Sequence, residues 1–363
     1  MPDEMVRARE LAERARSFER KGDAAKALGC YDEALALFDR DTQDPLLADV
    51  LRWKGTLLRE RGETDAAYRN YSQSLVQASL AGNVAGQAHA LNCLAIIAHR
   101  RGDPKESERV YTKAAALASA SGETRLLGMI EQNRGVLAAT RGDLVLAAAC
   151  YTTSLGAFEA AGDDEPTSWV LNNLGMLHVK AKNFAAAREH LERGLAIAVK
   201  REDATIINIC VLNLAEMWLG MGELDAAEEY CGQALEDAAK RGDHLTAAGA
   251  LKCRATIERE RGAFDKSIAT LRIAIYEAQS SEDQLLHAEL LRELGDTSRA
   301  LGNAGAARSA WREAADSFAV IGATKDAAEL SERIESLPGA DVGARIGSVP
   351  IADVSPRIEA PPA

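Results

Sequence analysis

Small, large and polar residues return along this chain at intervals of forty, and the apolar positions within each interval fall three and four apart. That spacing places side chains on one face of a helix, so the pattern predicts amphipathic helices throughout and no strands. One column is small: Ala15, Gly55, Ala95, Gly135, Gly175, Ala215, Ala255 and Gly295. A second small column follows at Ala27, Ala67, Ser107, Ala147, Ala187, Ala227, Ser267 and Ala307. Shortly after it stands a large one: Tyr31, Tyr71, Tyr111, Tyr151, Leu191, Cys231, Leu271 and Trp311. Two small columns let paired helices approach closely, and the large column is expected to fill the gap between repeats.

Punctuation keeps the same period. A turn glycine stands at Gly22, Gly62, Gly102, Gly142, Gly222, Gly262 and Gly302. Lys182 interrupts that series, and Asn183 beside it is expected to supply the left-handed residue. A second turn column, Gly82, Gly122, Gly162, Gly242 and Gly322, lies midway, which predicts two helices of similar length per repeat. Pro104 and Pro166 suit the first turn of a helix, and Pro45 is placed in the Asp41–Asp44 connection. Thr324 to Leu337 reads as one further amphipathic helix.

The small–glycine–small–aromatic columns resemble the tetratricopeptide repeat (TPR) over roughly residues 5–322, with Leu171-Asn172-Asn173-Leu174-Gly175 as the clearest copy. The repeats depart from the family in length, about forty residues against the usual 34, and lack the repeat-ending proline. In this they are similar to the long repeats of kinesin light chains and of bacterial peptide-sensing or signal-transduction regulators. The resemblance implies an all-α fold: a right-handed superhelical solenoid of about eight helix-turn-helix repeats plus a C-terminal capping helix, over residues 1–337. Residues 338–363, rich in Pro, Gly and Ala, are expected to be a disordered tail.

Charge and chemistry narrow the function. A net charge of −12 favours solubility and disfavours a nucleic-acid partner. No run of eighteen apolar residues occurs, so no membrane partner is expected, and Met1 to Arg20 is too charged for a secretory signal. Cys30, Cys93, Cys150, Cys210, Cys231 and Cys253 form no C-x-x-C pair and read as reduced thiols of a cytoplasmic protein. The histidines show no H-E-x-x-H spacing, so no metal or other cofactor is expected. There is no P-loop, no G-x-S-x-G and no dinucleotide fingerprint, and no catalytic residue is assigned. Runs such as Arg59-Glu60-Arg61 read as solvated helix ends carrying ion pairs.

In the family that the columns resemble, the first helix of each repeat faces the concave side. Carried over, repeat five turns Trp169, Asn172, Asn173, Met176 and Lys180 inward; repeat four adds Gln132 and Asn133, repeat three Asn92 and Arg100, and repeat six Asn213. Asn133, Asn173 and Asn213 share one column, and a carboxamide offers the donor and acceptor that a peptide backbone requires. This neutral middle lies between charged ends, among them Arg52, Lys252, Arg259, Glu289 and Glu293, which are expected to be solvated flanks. The reading is a non-catalytic scaffold or adaptor binding a peptide segment of a protein partner in the groove of repeats three to six. The alternative is a signal-sensing regulatory module, responsive to a peptide or small molecule, that controls a kinase or transcription factor. A further expectation is that Val349, Ile351 and Val354 dock in the groove in cis. The partner's identity and the oligomeric state are not written in these residues.

Overall fold

The computed structural model describes residues 2–39, 44–279 and 283–337, so the expected tail, with Val349, Ile351 and Val354, lies outside the described residues. The described residues form helices without strands. They run as eight pairs: α1 (Pro2–Arg20) with α2 (Ala24–Leu35), α3 (Pro45–Glu60) with α4 (Thr64–Leu80), α5 (Val84–Arg100) with α6 (Pro104–Ala120), and α7 (Thr124–Thr140) with α8 (Leu144–Ala161). Then come α9 (Asp164–Lys180) with α10 (Phe184–Lys200), α11 (Ala204–Met221) with α12 (Leu224–Arg241), α13 (His244–Glu260) with α14 (Phe264–Gln279), and α15 (Gln284–Ala300) with α16 (Ala304–Val320). A final helix, α17 (Thr324–Ser336), packs on α16 and buries Leu330, capping the stack.

One device ends most of the described helices and starts the next. A residue with positive φ, such as Gly102 or Gly142, reverses the chain. The residue after it sends its N–H back five positions, Asp103 to Ala98 O at 3.0 Å and Asp143 to Ala138 O at 2.9 Å, satisfying a carbonyl the helix end would orphan. At many of these turns its side chain then caps the next helix, as where the Asp103 carboxylate accepts from Glu106 N–H at 3.0 Å. Where glycine is missing, Lys182 (φ 56°) and Glu202 (φ 55°) take the left-handed conformation themselves. Asn183 therefore does not supply it. It has φ −93° and caps α10, because its carboxamide gains the Ala186 N–H at that position. Pro45 likewise opens α3, capped by Asp44, and is not part of the connection.

Packing explains the columns with one correction. The large residue sits on the small position of its own repeat. A Cβ on Gly135 would come within 2.5 Å of the Tyr151 ring, and one on Gly175 within 2.5 Å of Leu191 Cγ. The second small column bonds to the first: Ser107 Oγ donates to Ala95 O and Ser267 Oγ to Ala255 O, each at 2.8 Å. Tyr31, Tyr71, Leu191 and Trp311 are essentially inaccessible, and each such side chain contributes roughly 1.5–3 kcal/mol by burial. By length and composition α8 and α11 are apolar enough to cross a membrane, a property the search for unbroken apolar runs does not register. In this fold each packs against the helices before and after it.

Candidate binding groove

The first helices of the pairs form a row in which neighbours touch: α1 with α3, α3 with α5, α5 with α7, α9 with α11, α11 with α13 and α13 with α15. The second helices make no comparable row, so the first helices occupy the inside of the curve. Within the row α7 and α9 stand further apart than any other consecutive pair. Phe158 explains the interval. It is fully buried at the end of α8, in the column held by Ala78, Ala118, Ala198, Ala238 and Ala278, and its ring presses on α7 where Gly128 leaves room. Phe318 holds the same column in repeat eight, where α15 and α17 meet mainly through Arg292–Asp326 and Arg333–Asp296, and Phe38 holds it in repeat one. In the sequence this column shows only as a change from alanine to phenylalanine.

The expected asparagines divide accordingly. Asn133 Nδ2 donates to Asn92 Oδ1 at 3.1 Å, and Asn213 Nδ2 donates to Asn172 Oδ1 at 2.6 Å, each bond joining successive first helices. Asn92 and Asn172 are buried. Across the α7–α9 interval the corresponding pair, Gln132 and Asn173, is not made; both are only partly buried, and neither is hydrogen-bonded among the described residues. Trp169 is half-buried against Ala198 of its own repeat and Ile206 and Cys210 of the following one. Arg100 and Lys180 are exposed at the ends of their helices, and Met176 is half-buried.

The charged positions toward the C terminus are not solvated flanks. Lys252 lies between Glu216 at 2.9 Å and Glu289 at 2.5 Å, with its side chain 18% exposed. Arg259 binds Glu293 at 2.7 Å, Arg292 binds Asp326 at 2.9 Å, and Arg333 binds Asp296 at 3.0 Å. Opposite charges thus tie successive first helices together, as the paired carboxamides do in the middle. Burial opposes the Lys252 charge, but the two carboxylates outweigh it and hold the ammonium above its ordinary range. Burial also works against the Glu289 carboxylate, and Lys252 and Arg292 together hold it below its usual range. In the sequence these partners stand about one repeat apart, a signal that becomes legible once the row is known.

Curvature brings the last repeat back across from the middle ones. A cavity of 530 Å³ lies between them. One wall is Val136, Ala139 and Thr140 of α7 with Asn173, Met176 and Lys180 of α9. The other is Leu285, Glu289 and Arg292 of α15, Phe318 of α16, and Lys325, Asp326 and Glu329 of α17. The Lys325 stem lies over Gly142, where a Cβ would come 2.8 Å from its Cδ. Among the described residues no hydrogen bond or ion pair of these lining groups crosses from wall to wall.

Tetratricopeptide repeat family profiles match residues 126–198 and 210–240. No curated protein matches the sequence. Among solved structures, the apo form of RapI is similar with a TM-score of 0.60 and 14% identity, covering 75% of this chain and 97% of that one. A Rap protein complexed with Competence and Sporulation Factor gives 0.57 at 14% identity, covering 92% and 97%. A signal-transduction ATPase with a tetratricopeptide repeat sensor, from Pyrococcus horikoshii, gives 0.52 at 11% identity, covering 90% of this chain and 46% of that one. Identities this low establish likeness of fold alone. The chain is thus a helical solenoid whose columns recur at about forty residues from end to end, with tetratricopeptide repeat profiles matching in its middle.

Proposed function

We propose that this chain is a non-catalytic interaction scaffold that holds an extended segment of a protein partner along the inner row of repeats three to six. The observation that carries the reading is the unmade pair at the α7–α9 interval. Gln132 and Asn173 keep their full hydrogen-bonding capacity, where the flanking repeats spend theirs on each other. Asn133 and Asn213 donate one N–H each and retain the rest for a ligand. Neighbouring helices lie about 8–10 Å apart and an extended chain advances about 3.3 Å per residue, so each repeat meets roughly every third ligand residue. Met176, Trp169, Arg100 and Lys180 supply apolar contact and charge beside this line. A cytosolic setting belongs to the same proposal, supported by six unpaired thiols.

A second reading, a peptide-responsive or small-molecule-responsive regulator, draws support from the two-walled cavity and from the solved Rap protein complexed with Competence and Sporulation Factor. The test of the first reading uses peptides selected from a random display library on the full chain. Gln132→Ala with Asn173→Ala is expected to weaken them by about fivefold to a hundredfold while helicity stays intact. Undiminished affinity in that variant, with binding lost in Glu293→Ala, would place the segment in other repeats.

A further inference from the structure

The cavity at the seam is lined by three cations, Lys180, Arg292 and Lys325, and three carboxylates, Glu289, Asp326 and Glu329, and two of the cations stand without an ion-pair partner among the described residues. Each carboxylate lining it already has a partner: Glu289 has Lys252, Asp326 has Arg292, and Glu329 has Arg333 at 2.6 Å. Arg292 is engaged twice, since its guanidinium also lies 5.3 Å from the Phe318 ring centroid. Lys180 on one wall and Lys325 on the other make no hydrogen bond or ion pair among the described residues, and both are exposed. Between them the surfaces of Val136, Ala139 and Met176 face Leu285 and Phe318. A volume of 530 Å³ lies within the range of about 300–1,000 Å³ that holds small organic ligands.

We propose that this seam cavity binds a small organic carboxylate with an apolar body, and that the bound molecule pins repeat eight and α17 onto repeats four and five. The carboxylate meets the two unpaired ammonium groups, and the body covers the apolar faces of both walls. Among the described residues no hydrogen bond or ion pair of the lining groups joins the walls, and the Lys180 charge reaches Glu289 only at longer range, so the ligand adds a direct charge-assisted link across the seam. The site shares Asn173, Met176 and Lys180 with the proposed peptide line, so occupancy and peptide binding compete or couple. The inference does not need the peptide reading to hold, since its ligand is a different molecule and its second wall lies outside repeats three to six.

The test titrates a panel of aromatic and aliphatic carboxylates of roughly eight to fifteen heavy atoms, each beside its neutral primary amide, onto the full chain by calorimetry. Carboxylates are expected to bind more tightly than their amides, with affinity falling as salt rises. Lys180→Gln and Lys325→Gln are each expected to weaken binding about threefold and together about tenfold, the range for partly exposed ion pairs. Both side chains are exposed, so the variants keep the fold, which circular dichroism checks. Amide exchange should slow together at residues 139–143 and 323–326, one segment from each wall. Absence of binding across the panel, amides binding as well as acids, indifference to both lysines, or protection confined to one wall would each overturn the proposal. Selected peptides sensitive to Gln132 and Asn173 under those outcomes would leave the peptide reading standing.

Discussion

Gly295→Ala probes the rule that relates the two main columns. Alanine normally stabilises a helix interior over glycine by roughly 0.5–1 kcal/mol. At Gly295, however, the new Cβ would come 2.5 Å from Trp311 Nε1, against an ordinary contact of 3.4–4 Å. Relief requires the indole to retreat by about 1 Å in a packed core. The ring is not free to do so: its Nε1 donates to Asp296 Oδ1 at 3.0 Å, and the same oxygen takes Arg333 at 3.0 Å. Overpacking of this kind costs about 1–3 kcal/mol, so the net effect is a destabilisation of about 0.5–2 kcal/mol. Gly156→Ala, also in a helix but with nothing within 4 Å of the new Cβ, should stabilise by about 0.5–1 kcal/mol. A third variant separates packing from helix propensity. Trp311→Leu recreates the large residue that repeat seven already places over an alanine, Leu271 with Ala255. In that background the Gly295→Ala penalty should disappear, giving a coupling of about 1–2 kcal/mol in the double-mutant cycle. Urea unfolding supplies the free energies, and amide exchange in α15 and α16 locates them, since repeat arrays can open locally. A stabilising Gly295→Ala, or a penalty unchanged by Trp311→Leu, would refute the pairing of columns.

Lys182→Gly should stabilise by about 1 kcal/mol, because a side chain at φ 56° carries the left-handed penalty that its twelve described glycine counterparts avoid; a lower unfolding midpoint would count against it. Phe158→Ala should cost about 3–5 kcal/mol and let α9 move toward α7, read as a shorter spin-label distance between positions 139 and 179; an unchanged distance would dismiss Phe158 as the wedge. Burial, aided by the nearby Arg52 charge, lowers His89 to about 4. A folded value below the unfolded one of about 6.5 means that stability is full above pH 6.5 and lost as pH falls toward 4, by at most about 3 kcal/mol. His89→Gln should flatten that part of the stability profile, and an unaltered slope would show that the imidazole titrates normally.

What the chain's order alone determined is whatever depends on neighbours within a turn or a helix pair. Positive φ at Gly102 or Gly142 and the capping carboxylate after it are local, so helix number and length were legible. The small and large columns mark one helix face against its partner, and the eight copies of Ala15, Ala27 and Tyr31 expose the period without any coordinates. The interior of the curve was a different matter. Asn133 was legible as an inward carboxamide, but its bond to Asn92 depends on the offset between successive first helices. Lys252 and Glu289 looked like separate surface charges because their meeting likewise depends on how successive first helices are set against each other, here one repeat less three residues apart in sequence. Phe158 changes the spacing of two repeats through a single ring, an effect no periodic pattern contains. The seam lay furthest from the sequence: Gly142 meets Lys325 only after small rotations have summed over four repeats, and such a sum belongs to the assembled solenoid.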